Sequence, residues 1–429
     1  MSADPTSSRD HLFSGAPALL LLALAVFVWA CADAASGGPS VTREVVGDTT
    51  IVRIAGATTP DTAVQEVVIG ELEGADEYTF GNVQDIAVAD DGTMYVLDGQ
   101  TLNIRVYSPD GTHVRTFGRQ GEGPGELKQP YGMLFLSDGR LVVRDAGNAR
   151  MNVYSRDGES LTTWPIPGGF ITSAPIFRDE DDNVYTDIIA VRHDDGSWRT
   201  GMLRLSSSGE WGDTVVRPYV DYEPPRLTAT RVSGNNRSMS MSNVPFWPQA
   251  LSAMNRNGEF IGGIADRYAV FIWRSDGTVL RIERDVAPVP VDQAEAAAAI
   301  ERVTRSMQNL DGSWSWDGPQ PPPTKPAFTE IRVGDDNRIW IRISQPGVRQ
   351  PPDPDAERDA RGRMPVDQWL EPTVYEVFES DGDYVGAVRL PDRFRPMTIR
   401  GGHVWGVLRD EYDVQYVARL SALPDEPAP

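Results

Sequence analysis

Residues 83–127, VQDIAVADDGTMYVLDGQTLNIRVYSPDGTHVRTFGRQGEGPGEL, contain the pattern of strands and turns that decides the fold. Four short runs in this stretch are rich in β-branched and aromatic residues, which favour strands; they are QDIAVA, TMYVLD, NIRVYS and HVRTFG. The segments between them are ADDG, a polar loop and PDG, and such sequences suit tight hairpin turns. Four consecutive strands joined by hairpins predict one blade of a β-propeller.

The turn between the first and second strands of this unit recurs along the chain. Its six copies are ADDGTMYVLD (89–98), LSDGRLVVRD (136–145), EDDNVYTDI (180–188), NRNGEFIGGI (255–264), GDDNRIWIRI (334–343) and RGGHVWGVL (400–408). Repetition of one supersecondary unit at this spacing is typical of propellers and other repeat folds. The sequence therefore predicts an all-β fold, a six-bladed β-propeller of residues 44–425.

The sixth unit lacks an outer strand of its own, and we expect the N-terminal region to supply it. Residues 66–83 align with 114–130, which follow the third strand of the first unit. Strand 64–70 should then pair with 414–421 and close the ring, which removes the exposed edges of an open array. The predicted blades are about 83–130, 131–172, 173–246, 247–326, 327–392 and 393–424, the last completed by 62–72.

The N-terminal segment predicts export. An apolar run at 12–30 follows Arg9, and this layout is typical of a signal peptide over residues 1–30. The tetrad Val28-Trp29-Ala30-Cys31 resembles a bacterial lipobox, and Cys31 is the only cysteine of the chain. The resemblance implies a cell-envelope protein that is anchored to a bacterial membrane through a lipid on Cys31.

Two alternatives to the lipid anchor stay open. One is a soluble secreted or periplasmic protein that is cut after the A-x-A-like residues 30–32. The other is an uncleaved anchor, since the apolar run is near the lower length limit for a membrane span. In each case the small and polar residues within 31–43 predict a tether between the N-terminal segment and the propeller.

The overall charge excludes some partners. The chain has 62 acidic and 40 basic residues, a formal net charge of −22. A nucleic-acid partner would require a basic surface to neutralise phosphates, so we expect none. The charge also disfavours adsorption to anionic lipids. We expect a monomer whose partner is a protein or a small polar ligand.

The first two units resemble NHL repeats. The resemblance rests on residues at matching places in the two units, which are Asp98, Asn103, Arg105 and Tyr107 in one and Asp145, Asn148, Arg150 and Tyr154 in the other. It covers roughly 83–165 and the other units only through their turns. The family implies a six-bladed propeller. It implies no single function, because its members include protein-binding scaffolds and lyase-like or lactonase-like enzymes.

Three irregular insertions, 221–246, 288–326 and 345–370, interrupt the repeat, and their positions place them all on one face of the propeller. The second insertion predicts one short helix, because Asp292 and Glu295 form a capping-box-like start. Ile300, Val303 and Met307 then share a helix face.

Trp314 and Trp316 follow the predicted helix, and a Pro-rich return comes after them. The insertions either form a passive cap or wall a binding surface, as long loops on a rigid scaffold often do. In the second case the two tryptophans are candidate ligand-binding residues.

Alignment of the six inner strands places six residues at one level near the loop-bearing mouth of the central channel: Asp85, Gly132, Ile176, Leu251, Glu330 and Arg395. Three of them, Asp85, Glu330 and Arg395, are charged and belong to blades that are consecutive in the closed ring. Two carboxylates beside a guanidinium can hold a polar ligand, a cation or a chain of water. They can equally form a salt bridge between blades.

Motifs of other enzyme classes are absent from the sequence. After removal of the signal peptide three histidines remain, His113, His193 and His403, and the repeat places the first and last too far apart to share a zinc ion with His193. The sequence contains no nucleophile-elbow or phosphate-binding motif.

Two functional hypotheses follow. The first is an exported, lipid-anchored binding module that recognises a ligand or a protein through its loop-bearing face. The second is a propeller enzyme of the lyase or lactone-hydrolase kind, with an acidic channel mouth where calcium is the possible cofactor.

Overall fold

The computed structural model describes residues 39–423 except 57, 167–174, 193–197, 219–221, 235, 353–356 and 360. The predicted signal peptide 1–30, Cys31 and His193 lie outside the described residues. Of the helices in the described ranges, none is long and apolar enough to cross a membrane.

The chain first forms four strands that join other parts of the sequence, β1 (Ser40–Val46), β2 (Thr49–Ala55), β3 (Asp61–Thr62) and β4 (Val64–Ile69). A 3-10 turn at Asp76–Tyr78 leads to blade 1, with β5 (Val83–Val88), β6 (Met94–Asp98), β7 (Asn103–Tyr107) and β8 (His113–Phe117). The short pair β9 (Arg119–Gln120) and β10 (Glu126–Leu127) crosses to blade 2. Blade 2 contains β11 (Pro130–Phe135), β12 (Leu141–Asp145), β13 (Arg150–Tyr154) and β14 (Ser160–Pro165), with a 3-10 turn at Ala146–Asn148.

Blade 3 contains β15 (Ile176–Arg178), β16 (Val184–Arg192), β17 (Trp198–Leu205) and β18 (Trp211–Val216). A hairpin of β19 (Arg226–Ser233) and β20 (Asn236–Asn243) precedes blade 4, with β21 (Ala250–Met254), β22 (Phe260–Ile264), β23 (Ala269–Trp273) and β24 (Val279–Arg284). Helix α1 (Gln293–Leu310) follows. Blade 5 contains β25 (Phe328–Val333) and β26 (Ile339–Ile343), then the inserted pair β27 (Val348–Gln350) and β28 (Gln368–Leu370), then β29 (Thr373–Phe378) and β30 (Tyr384–Leu390). Blade 6 contains β31 (Phe394–Arg400), β32 (His403–Arg409) and β33 (Gln415–Ser421).

The ring is closed by the N-terminal strand β4, which confirms the prediction. β4 pairs antiparallel with β33, with Val64 opposite Ser421 and Ile69 opposite Val417. Ile69 is buried among residues of blades 6 and 1. Gly111, in the last turn of blade 1, has a φ of +91°, and a Cβ atom there would lie 3.1 Å from the Ile69 side chain. Glycine therefore lets this turn pack closely on the closing strand.

The N-terminal segment also extends two other blades. β2 pairs in parallel with β24 at the outer edge of blade 4, and β1 pairs with β2. β3 pairs in parallel with β30 at the outer edge of blade 5. The segment thus passes the outer edges of blades 4, 5 and 6 in order. The sequence predicted strands within 44–54 without a place in the ring, and β1 begins at Ser40, inside the predicted tether 31–43.

The core lies between the blades. Each pair of neighbouring blades shares one cluster of buried apolar residues, so six clusters surround the axis. Strand β6 illustrates this packing between blades, because all five of its side chains, Met94–Asp98, are buried. Burial on both faces accounts for the near-continuous apolar runs in the second strands.

The β19–β20 hairpin, helix α1 and the segment through Trp316 pack together, and we call this unit the cap. The predicted helix is confirmed: Asp292 is its N-cap, and the side chain accepts a hydrogen bond from the amide of Ala294 at 2.7 Å. Leu227 and Met307 belong to a separate apolar cluster of the cap. The cap precedes the inner strands β21 and β25, so it is attached at the end of the propeller where inner strands begin. We call this the loop-bearing end.

Candidate functional site

The six inner strands, β5, β11, β15, β21, β25 and β31, surround a central cavity of about 640 Å³. Five of the six residues that the sequence alignment placed at one level line it, namely Asp85, Gly132, Ile176, Glu330 and Arg395. At the sixth position the neighbours of Leu251, Ser252 and Ala253, line the cavity instead. The repeat register thus brings the predicted charged residues to one channel.

Backbone irregularities direct these side chains. The pairing register shifts between Val83 and Asp85 in β5, between Phe328 and Glu330 in β25, and just after Arg395 in β31. A β-bulge bends its strand and turns the following side chain away from the regular alternation. Three inner strands therefore carry a bulge beside the predicted charged residue.

The Asp85 carboxylate links blades 1 and 2. Its Oδ2 accepts a hydrogen bond from the Met133 amide at 2.6 Å, and its Oδ1 accepts one from the Ile86 amide at 2.9 Å. Burial raises the pKa of Asp85 to about 6, although these amides and the guanidinium groups of Arg332 and Arg395 oppose the shift. Asp85 is therefore a carboxyl that changes protonation near neutral pH.

The cation that contacts Glu330 is Arg332, whereas the sequence grouped Glu330 with Arg395. Its Oε1 lies 2.6 Å from Nη2 of Arg332, and its Oε2 accepts a hydrogen bond from the Tyr375 hydroxyl at 2.5 Å. Arg332 is two positions further along the same strand, and residues two apart share a face. The spacing of Glu330 and Arg332 was therefore a signal in the sequence for this ion pair. The alignment of the inner strands compared residues at one level of the channel only and so did not include Arg332.

Arg395 contacts blade 1 through backbone. Its Nη2 donates to the carbonyl oxygen of Val83 at 2.8 Å, and burial lowers its pKa. The described contacts of Asp85 and Glu330 include no ion pair with Arg395. The three residues therefore line one cavity, but they do not form the direct salt bridge that the sequence left open as an alternative.

The two guanidinium groups have hydrogen-bond donors to spare. Each guanidinium carries five N–H donors. Arg395 uses one on Val83, and Arg332 contacts Glu330 and, at 3.4 Å, the carbonyl oxygen of Met397. The buried Nε of Arg332 has no partner. The channel beside Asp85 and Glu330 is therefore rich in donors and suits a ligand with acceptor oxygens.

The two candidate tryptophans belong to the core of the cap. Trp314 is buried, and its indole N–H donates to the carbonyl oxygen of Thr228 at 3.1 Å. The Trp316 indole N–H donates to Gly318 at 2.8 Å, and its ring packs edge-on against Trp314. Both side chains hold the helix on the hairpin. Neither lines the central cavity.

His113 and His403 begin strands β8 and β32, where the repeat placed them. Within the parts of the chain that are described, no group of three or more His, Cys, Asp and Glu residues is placed to hold a metal ion.

The acidic residues of the NHL-like pattern fix turns. The Asp98 carboxylate accepts hydrogen bonds from the amides of Gly81 and Gln100, the latter at 2.8 Å. Asp145 does the same for the amide of Gln129 at 2.8 Å and for the side chain of Asn148 at 2.7 Å. Equivalent residues thus fix equivalent turns in blades 1 and 2.

Comparison with known proteins agrees with this geometry. Residues 61–185 match a family model described as a 6-bladed beta-propeller. The chain is a six-bladed β-propeller with NHL-like repeats. Over 89 residues it is 36% identical to NHL repeat-containing protein 3 of Homo sapiens, a match that covers 20% of this chain and 26% of the human protein. The matched segment thus spans about a quarter of that relative's length.

Two solved structures resemble the propeller. A member of the duf4221 family from Bacteroides vulgatus has a TM-score of 0.50 at 10% identity, over 84% of this chain and 98% of that one. This likeness concerns the fold alone. A gluconolactonase from Xanthomonas campestris has a TM-score of 0.40 at 12% identity, over 85% of this chain and 98% of that one. The second likeness is too distant to indicate an activity.

The raised pKa of Asp85 predicts a pH-dependent stability. Because the folded-state pKa is about 6 and the ordinary value is 3.8, the contribution of this carboxyl is complete below pH 3.8 and is lost as the pH rises through about 6. The melting temperature of the parent should fall relative to Asp85→Asn between about pH 4 and about pH 7. Asp90→Asn is the control, since Arg400 lowers the pKa of that exposed carboxyl. A constant difference between parent and Asp85→Asn over this range would contradict the raised pKa.

Proposed function

We propose that this propeller is an exported, lipid-anchored binding module that takes a small polar ligand at the loop-bearing end of its channel. The observation that carries the proposal is the pair of guanidinium groups, Arg332 and Arg395, with unused N–H donors beside the carboxylates of Asp85 and Glu330. Donors held by neighbouring blades are fixed before a ligand arrives, which reduces the entropy cost of binding.

The charge and the volume of the central cavity indicate which class of ligand it can hold. Four carboxylates and five guanidinium groups line the cavity, so their formal charges nearly balance and the site attracts neither strong anions nor strong cations by net charge. The volume of about 640 Å³ lies in the range of small-molecule sites. A neutral ligand with several hydroxyl or carbonyl oxygens, such as a sugar or a lactone, satisfies these conditions.

Calorimetric titration with sugars, lactones and calcium tests the proposal. We expect the parent to bind at least one oxygen-rich compound and Arg395→Met to bind it about 10-fold to 100-fold more weakly, because charge-assisted hydrogen bonds are lost. Arg115→Met, which removes an arginine outside the channel that pairs with Asp157, should bind as the parent does. Absence of heat with every compound, or unchanged affinity in Arg395→Met, would contradict the proposal.

A propeller enzyme remains a second candidate because Asp85 titrates near neutral pH within the channel. A carboxyl with a pKa of about 6 can accept or donate a proton at working pH. The same titrations should be followed for product formation. Turnover that is present in the parent and lost in Asp85→Asn, with binding retained, would favour the enzyme.

The proposed lipid anchor rests on Cys31 and the apolar run before it. In a bacterial host, Cys31→Ser is expected to abolish metabolic labelling with a fatty acid and to release the protein from the membrane fraction, since a single modified cysteine is the proposed anchor. Loss of labelling with unchanged membrane association would instead favour the uncleaved segment.

A further inference from the structure

A second cavity lies between the cap and the inner strands of blades 4 and 5. Its volume is about 470 Å³, and its wall is mainly apolar, with Phe246, Trp247, Leu251, Val303 and Phe328. We call it the junction pocket. Thr329 lines the junction pocket and the next residue of β25, Glu330, lines the central channel. The two cavities are thus neighbours with different walls.

One side of the junction pocket is a buried ionic cluster. The Lys325 ammonium donates to Oε1 of Glu295 at 2.7 Å, to Oε2 of Glu371 at 3.0 Å and to the carbonyl oxygen of Gln345 at 3.1 Å. All three of its N–H donors are therefore used. Two carboxylates against one ammonium leave a formal charge of −1, which disfavours an anionic ligand.

Ser344, which also lines the junction pocket, supplies an unused polar group. The residue is 5% exposed, and its Oγ has no hydrogen-bond partner. Phe246, which also lines the junction pocket, has a φ of +60°. A bulky residue rarely adopts this left-handed conformation, and such strain is concentrated at binding sites. Ser344 thus places an unpaired hydroxyl close to the aromatic residues of the pocket wall.

We propose that the junction pocket is a binding site for an uncharged aromatic ligand that carries one hydroxyl or carbonyl group. The aromatic ring packs against Phe246 and Trp247, and the polar group of the ligand hydrogen-bonds to Ser344 Oγ. This site is separate from the donor-rich channel and takes a different class of compound.

The test compares p-cresol with toluene, which lacks the hydroxyl, by saturation-transfer NMR and titration on the full chain. The parent should bind p-cresol about 10-fold more tightly than toluene, the effect of one hydrogen bond. Ser344→Ala should remove this preference while retaining toluene. Val303→Trp should weaken both probes by filling the pocket, with its thermal melting measured to confirm folding.

Arg395→Met is the control that separates this proposal from the channel function, and it should bind both probes as the parent does. Loss of p-cresol binding in Arg395→Met would place the probe in the channel and overturn the proposal. So would a parent that binds neither probe, or a hydroxyl preference that persists in Ser344→Ala. Failure of every sugar and lactone to bind would leave this result unaffected.

Discussion

Deletion of the closing strand is expected to lower the free energy of unfolding by about 5 kcal/mol or more. Ile69 alone contributes about 2–3 kcal/mol through burial of its side chain among blades 6 and 1. Without β4, the outer edge of β33 also loses its backbone partners along Val64–Ile69. Chemical denaturation of a chain of residues 73–423, against residues 62–423, measures the loss.

A rearranged chain supplies the matched control. Since Ser421 lies opposite Val64, a short glycine-rich linker after Leu423 can lead directly into residues 62–72. This permuted chain lacks the same residues 39–61 as the deletion, so the difference between the two isolates β4. We expect the permuted chain to recover most of the lost stability. A permuted chain as unstable as the deletion would contradict closure by β4.

Arg284→Met is expected to cost about 3–5 kcal/mol, because it leaves a buried carboxylate without its cation. Nε of Arg284 lies 2.8 Å from Oε1 of Glu376, and the two side chains are 4% and 1% exposed. Arg284→Met/Glu376→Leu should recover most of the loss, since an apolar pair can replace a buried ion pair. Equal instability of the single and double variants would show that shape, and not charge, is responsible.

The Arg284→Met variant should also respond to pH. Burial raises the pKa of Glu376 and the Arg284 guanidinium opposes this, so loss of the guanidinium raises the pKa further. A carboxyl with a raised folded-state pKa stabilises the fold at low pH and loses that contribution as the pH rises through the folded-state value. The deficit relative to the parent should therefore be larger at about pH 8 than at about pH 5. Unfolding measured at both values checks this, and an equal deficit would contradict it.

Local signals predicted most of the fold. The recurring turn sequences identified six repeats. The alignment of 66–83 with 114–130 identified the closing strand, because 114–130 contains the outer strand of the first repeat and the segment that follows it. The places of β1 and β2 were not predictable in this way. β2 adds in parallel to β24, a pairing that joins distant segments without a hairpin turn.

The candidate site was predictable by position but not by contact. Strand alternation and the repeated turns brought Asp85, Glu330 and Arg395 to one channel. Their contacts differ from the expected ones, since Glu330 contacts Arg332 two positions along the same strand and Asp85 contacts backbone amides. The Lys325 cluster was missed altogether, because its carboxylates come from α1 and from the residue after β28, which only the tertiary fold brings together.

Pairing of β4 with β33 fixes the order of events during biosynthesis. Val64 and Ser421 are 357 positions apart (421 − 64), so the ribosome makes β4 before any complete blade and makes its partner after nearly all the others. Blades 1 to 5 each contain four strands from one continuous stretch and can form as they emerge. Blade 6 cannot, because its fourth strand was made first. Ring closure therefore waits until translation has passed Ser421, and the longest chain loop in the propeller is the last to be closed.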